Sequence, residues 1–155
     1  MSYIWCCETE IGKLGIVETD GAISNILFDG ENNPLGYELK ETKTIKTAAN
    51  QLLEYFNGKR TKFDFPMLLK GTVFQKSVWE ALKTIPFAET RRYKDIAEQI
   101  KNPKAVRAVG MANHCNPIPI VIPCHRVIGS NGSLTGYAGG LKIKQYLLDL
   151  EKSYA

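Results

Sequence analysis

The stretch "NPIPIVIPCHRVIGS", residues 116–130, decides how the chain is read. Pro117, Pro119 and Pro123 each fix φ and remove a backbone donor, so this apolar run cannot be a helix and makes a poor central strand. It ends on Cys124, followed at once by His125 and Arg126. Most free cysteines are small buried hydrophobes. Here a proline-braced segment precedes the cysteine, a titratable imidazole and a cation follow it, and beyond lies the glycine-rich loop "GSNGSLTGYAGG" (129–140), able to fold over a pocket with its amides exposed. Positive neighbours favour the thiolate, the reactive form of cysteine, and histidine is its usual proton acceptor. In an extended segment adjacent side chains point to opposite faces, so His125 reaches Cys124 only through a bend or an intervening water.

The flanking sequence is helical. Upstream, "KDIAEQI" (94–100) places Ile96, Ala97 and Ile100 on one face, and Asn102-Pro103 is read as a capping residue and first-turn proline opening a second short helix through "KAVRAVGMAN" (104–113). Two short helices joined this tightly outline a helix-turn-helix. In the second, Val106 and Val109 are expected to face inward and Lys104, Arg107 and Met111 outward. Ala105, Ala108, Gly110 and Ala112 are small, which suits either close helix packing or approach to a narrow groove. Thr72 with Gln75 predicts a capping box opening a helix through Ile85, which Pro86 ends.

The first 70 residues read as a small sheet with one helix. In "LGIVETDGAISNILF" (14–28), Asp20-Gly21 between apolar runs signals a hairpin. "TIKTAANQLLEYFNG" (44–58) spaces Ile45, Ala49, Leu52 and Phe56 helically before Gly58, and "TKFDFP" (61–66) alternates like a strand. No cluster of catalytic residue types occurs in this half, which is read as scaffold.

With 155 residues, 44% of them hydrophobic, the chain can form one sizeable core or two small domains. The N-terminus lacks the pattern of a targeting segment and no apolar run approaches the roughly 20 residues of a membrane span, so an intracellular soluble protein is expected. Residues 1–70 carry 8 basic and 10 acidic side chains and residues 71–155 carry 12 and 6, making the C-terminal part cationic. Such a surface attracts phosphate backbones or is merely solvated. Cys6, Cys7, Cys115 and Cys124 are expected as reduced thiols, and without CxxC or HxxxH spacing no metal is expected. No dinucleotide fingerprint such as GxGxxG occurs, so no cofactor is expected either.

Residues 91–151, from "RRYKDIAEQI" through "PIPIVIPCHRVIG" to "KIKQYLLDLE", resemble the O6-alkylguanine-DNA alkyltransferases in order and spacing. The first 70 residues match that family only in size and expected element order. The resemblance implies an α/β (α+β) fold, with an RNase H-like sheet-and-helix domain at 1–70 and a mostly helical domain at 71–155 carrying the helix-turn-helix and the cysteine loop. It implies repair by direct reversal: binding in the minor groove of double-stranded DNA, extrusion of O6-alkylguanine, extending to O4-alkylthymine, and stoichiometric, irreversible transfer of the alkyl group to Cys124.

By the same resemblance His125 is the base acting through a water, Glu151 orients it, and Tyr93 contacts the flipped guanine. Arg107 fills the gap left by the base, and Lys104, Ala108 and Met111 share its DNA-facing helix. Asn116 ties that helix to the cysteine turn, Pro119 and Val127 line the pocket, Tyr137 and Ala138 belong to the loop closing on it, and Lys144 lies beside it. Ala138 stands where many relatives carry serine, and His114 where some carry arginine. The zinc ligands of certain relatives are not evident. The expected protein is a monomer in the cytoplasm, or the nucleus of a eukaryote. Two rival classes are a module that recognises alkylated DNA without repairing it, against which Cys124 argues, and a cysteine–histidine hydrolase, which would leave the Arg107 helix without a purpose.

Overall fold

The computed structural model describes residues 1–28 and 32–155. They form two compact units, Met1–Leu69 and Lys70–Ala155. In the first, β1 (Ser2–Thr9), β2 (Gly12–Thr19), β3 (Ala22–Leu27) and the short β4 (Glu38–Leu39) form a sheet of order β3-β2-β1-β4. The β2–β3 turn has Asp20 at φ 51° and Gly21 at φ 87°, the left-handed pair that a two-residue hairpin requires. Strand β2 is buried continuously from Leu14 to Glu18, so both of its faces are covered and its sequence does not alternate.

Helix α1 (Lys43–Phe56) packs on β1, β2 and β3 through Ile45, Ala48, Leu52, Tyr55 and Phe56; Ala49, expected on that face, is only partly buried. Thr42 Oγ1 accepts from Ile45 N at 3.1 Å, and Gly58 at φ 74° lets Lys59 N reach back to Glu54 O at 2.8 Å, closing the helix. The strand expected at 61–66 does not form as a ladder. The Gln51 amide takes the backbone of Asp64 (Asp64 N to Oε1, 3.1 Å), and Pro66 has no N–H to give, so pairing is confined to a bridge between Ile23 and Met67.

The second unit opens with α2 (Val73–Leu82), whose capping box is present: Gln75 N donates to Thr72 Oγ1 and Thr72 N to Gln75 Oε1, both at 3.0 Å. The helix stops at Leu82 rather than Ile85, its last turn tightening into Thr84 N to Ala81 O and Ile85 N to Leu82 O bonds ahead of Pro86. There follow β5 (Arg91–Arg92), α3 (Tyr93–Gln99), α4 (Val106–His114), a single 3₁₀ turn at Cys124–Arg126, β6 (Val127–Ile128), which pairs with β5 in parallel, and α5 (Leu141–Tyr154).

Helix α4 departs from expectation. Asn102 does not cap it; Asn102 N caps the end of α3 through Ala97 O, Ala105 N closes a turn on Asn102 O, and Pro103 and Lys104 occupy that turn. Helical geometry begins at Val106, which is 38% exposed and not inward; the buried stripe is Val109, Ala112 and Asn113. Trp79 Nε1 donates to Ala112 O at 2.9 Å, fastening α2 to α4 in the core. Among the described residues no helix is long and apolar enough to cross a membrane.

Candidate active site

The cysteine turn is built by backbone constraints. Asn116, just past the end of α4, donates from Nδ2 to Ile122 O at 2.7 Å and accepts from Ile118 N at 3.0 Å, pinning both ends of the proline-rich loop. Within the loop Ile120 is held at φ 73° while 1% exposed, a left-handed conformation that costs a β-branched residue on the order of 1–2 kcal/mol. Pro123, at φ −79° and ψ 64°, centres an inverse γ-turn in which Cys124 N donates to Ile122 O at 2.7 Å. The chain then turns once as a 3₁₀ helix and buries Cys124, His125 and Arg126. The segment is therefore bent at the cysteine, not extended through it.

Burial pushes the Cys124 thiol up to about 11; hydrogen bonds from the Asn116 and Tyr137 side chains and the positive charge of Lys144 act in the other direction. Lys144 is itself fully buried, donating from Nζ to Val127 O at 2.6 Å and to Thr135 O at 3.3 Å, and burial lowers its affinity for the proton. Asn113 Nδ2 points to Cys124 O at 3.4 Å.

His125 Nε2 lies 2.6 Å from Glu151 Oε2, with both side chains out of solvent. Burial raises the affinity of Glu151 for a proton, but hydrogen bonds from His125 and Arg126 outweigh it and hold the group far below the carboxylate range. Because Glu151 is thus an acceptor, the ring proton sits on Nε2 and the lone pair on Nδ1, which has no hydrogen-bond partner among the described residues. Burial also lowers the basicity of His125, against the pull of Glu151.

The remaining expected residues fall around this centre. Tyr93, at the start of α3, shares a hydrogen bond with Thr135 Oγ1 at 2.5 Å, and a Cβ on Gly110 of α4 would stand 3.9 Å from its ring. Pro119, Val127 and Tyr137 are buried, whereas Ala138 is exposed. Arg107, Ala108 and Met111 are exposed on α4, and Lys104 is exposed in the turn before it. Cys115 is exposed, Cys7 is buried, and none of the four cysteines is in a disulfide.

Sequence reasoning missed Asn113, which touches the cysteine backbone, and Thr135, which joins Tyr93 to Lys144. It took Arg126 for a cation favouring the thiolate, whereas Arg126 is buried against Glu151 and the charge acting on Cys124 is that of Lys144. For Arg126 a signal existed: a cation inside the apolar run "VIPCHRVIG" demands a buried carboxylate. Among the described residues no three His, Cys, Asp or Glu side chains are grouped to hold a metal ion.

Comparison with known proteins agrees along the whole chain. Residues 73–153 match the DNA binding domain of 6-O-methylguanine DNA methyltransferase and residues 2–69 match its ribonuclease-like domain. The constitutive methylated-DNA–protein-cysteine methyltransferase of Bacillus subtilis is 46% identical over 159 residues, covering 98% of this chain and 96% of its own. The corresponding protein of Methanosarcina acetivorans is 60% identical over 109 residues, 70% of each chain. The crystal structure of Mycobacterium tuberculosis OGT in complex with DNA superimposes with a TM-score of 0.91 at 44% identity, covering 99% of this chain and 94% of that one. With both domains matched in order, and the buried Cys124–His125 turn inside the second, the chain belongs to the O6-methylguanine-DNA methyltransferase family.

Proposed function

We propose that this protein repairs DNA by direct reversal, taking the alkyl group of O6-alkylguanine, and of O4-alkylthymine, onto the Cys124 sulfur. The observation that carries this reading is the buried Glu151–His125 pair, which leaves the Nδ1 lone pair of His125 to serve a thiol one residue away. The thiol proton passes through one bridging water to Nδ1. The thiolate attacks the saturated carbon, the S–C bond forms, the C–O6 bond breaks, and the guanine anion takes a proton, a donation we assign to the Tyr93 hydroxyl. A soft thiolate suits this displacement where a hydroxyl would not. The product thioether has no easy route back, so each molecule acts once and needs no cofactor.

A base inside a stacked duplex is out of reach of a thiol 2% exposed, so the target nucleotide must be flipped, at a cost of a few kcal/mol. We assign that work to α4. Its exposed Arg107 enters the minor groove in place of the base, Ala108 and Gly110 permit close approach, and Met111 and Lys104 extend the contact. Asn116 couples this helix to the cysteine turn, Pro119, Val127 and Tyr137 line the base site with Ala138 at its rim, and Lys144 favours the thiolate. In this reading residues 1–70 are scaffold, residues 71–155 bind DNA and react, and the protein works as a monomer wherever the genome lies, the cytoplasm in a bacterium.

The test is to incubate the protein with duplex DNA carrying O6-methylguanine and to locate added methyl groups by intact and peptide mass spectrometry. One methyl on Cys124, absent in Cys124→Ser, is expected. No adduct on the native protein, or an undiminished one in Cys124→Ser, rejects the proposal; tight binding without an adduct would mark a recognition module instead.

A further inference from the structure

The Glu151 carboxylate serves more than His125. Its Oε1 accepts from Arg126 Nε at 2.8 Å and from Ala88 N at 3.1 Å, while its Oε2 accepts from Arg126 Nη2 at 2.9 Å and from His125 Nε2 at 2.6 Å. Arg126 therefore grips both oxygens with its fork. Its third nitrogen, Nη1, donates to Ile85 O at 2.7 Å, and its guanidinium carbon stands 5.7 Å from the centre of the Phe87 ring. The Arg126 side chain is 7% exposed and that of Glu151 1%, so this is a desolvated ion pair with a fixed geometry.

Two consequences follow for the imidazole held by Glu151. One concerns orientation: a carboxylate held at both oxygens cannot rotate, so Oε2 stays aimed at Nε2 and selects the tautomer whose lone pair is on Nδ1. The other concerns charge. Arg126 and Glu151 already sum to zero, so a proton added to His125 would leave an uncompensated positive charge in the interior. Without Arg126, the nearest compensation for a buried carboxylate would be an imidazolium at 2.6 Å. An imidazolium carries hydrogen on both nitrogens and has no lone pair for the thiol proton.

The groups facing His125 are Glu151 and Lys144 from α5 and Arg126 and Cys124 from its own turn. Glu151 draws a proton to the ring, whereas Arg126 and Lys144 repel it, on top of a burial that disfavours the charged ring. We infer that Arg126 is a positioning residue of the proton relay: it locks the Glu151 carboxylate and balances its charge, so that His125 rests as a neutral base with Nδ1 free to take the Cys124 proton. This inference rests on the alkyl-transfer reading above. On this view the thiol and imidazole are both neutral at rest, and the nucleophile forms only when the substrate is in place.

The experiment measures the rate of Cys124 methylation by O6-methylguanine duplex as a function of pH for the native protein, Arg126→Met and Arg126→Lys. In Arg126→Met the acid limb should move up by at least about one pH unit, as expected for loss of an adjacent charge. That shift lowers the rate below the limb about tenfold, with recovery on raising the pH. In Arg126→Lys, which keeps the charge without the fork, the limb should stay near its native position and the plateau should fall. A limb that does not move in Arg126→Met, with a uniform loss of rate, means that Arg126 only supports the fold and overturns the inference.

Because removing one partner of a buried pair can unfold the chain, ¹⁵N NMR of the His125 ring in the native protein provides a second readout. A neutral ring protonated on Nε2 near neutral pH is expected; an imidazolium, or the Nδ1–H form, overturns the inference. Absence of any Cys124 adduct in the native protein would instead defeat the alkyl-transfer reading, while the NMR result would still report the charge of His125.

Discussion

The two units treat buried polarity in opposite ways. Among the described residues of the first, the buried polar side chains are Glu18, Ser24 and Gln51, and the other buried side chains are Ile, Leu, Val, Ala, aromatic residues and Cys7. In the second they are Asn113, Asn116, His125, Arg126, Lys144 and Glu151, gathered around one cysteine. Burying ionisable groups costs several kcal/mol each before their contacts offset it, so such a cluster is a poor way to obtain stability. Its presence beside Cys124, and the lack of a counterpart among the described residues of the first unit, mark where the molecule trades stability for chemistry.

The largest expected effect that can break this contrast is Glu151→Gln, which strands Arg126 without its counter-charge and should cost about 3–5 kcal/mol of unfolding free energy by denaturant titration. A neutral outcome would mean that the cluster is not energetically coupled. Next, Leu52→Ala in the apolar core beneath α1 should cost about 2–5 kcal/mol while leaving the rate of Cys124 methylation in the folded protein unchanged. A rate that fell in step would erase the distinction between a unit that supports and a unit that reacts. Arg107→Ala should slow repair of duplex DNA about tenfold or more, with little effect on reaction with free O6-methylguanine base, and no measurable effect on unfolding. Equal losses on both substrates would move Arg107 from base extrusion into fold or chemistry. Thr72→Ala removes the α2 cap and should cost about 1 kcal/mol without touching the site.

Acid sharpens the same comparison. His125 is held below its ordinary value of 6.5, so as pH falls through 6.5 the unfolded chain binds a proton that the folded chain refuses, and stability drops. Glu151, held below its ordinary 4.5, loses its contribution as pH falls further, through 4.5 and below. Both groups belong to the second unit. Hydrogen exchange between pH 7 and 4 should therefore show amides of α5 and the cysteine turn opening before those of β1 and β2, and the reverse order would contradict the placement of the charge cluster.

Much of the fold could be read locally, because its signals are local. Asp20-Gly21 makes a hairpin through its own φ preference, Thr72 and Gln75 cap each other across three residues, and Gly58 ends α1 by adopting φ 74°. Errors arose where a local signal competed with a longer-range one. Asn102-Pro103 has the form of a helix start, but the Asn102 amide is taken by Ala97 at the end of α3, which delays α4 to Val106 and rotates its buried stripe to Val109, Ala112 and Asn113. Pro66 and the Gln51 amide likewise denied the 61–66 segment a ladder.

The sequence by itself singled out the candidate nucleophile and its chain neighbours: three prolines, a cysteine, a histidine and an arginine in one run, legible because they are adjacent in the chain. Only the tertiary structure decided how they work together. Glu151 lies 26 residues from His125 and 25 from Arg126, and no periodicity links them. They meet because α5 packs against the cysteine turn, which brings the Glu151 carboxylate onto the Arg126 fork and the His125 ring. The tautomer of His125 and the pushed-up thiol of Cys124 follow from that burial, a property of the packed chain and not of any residue in it.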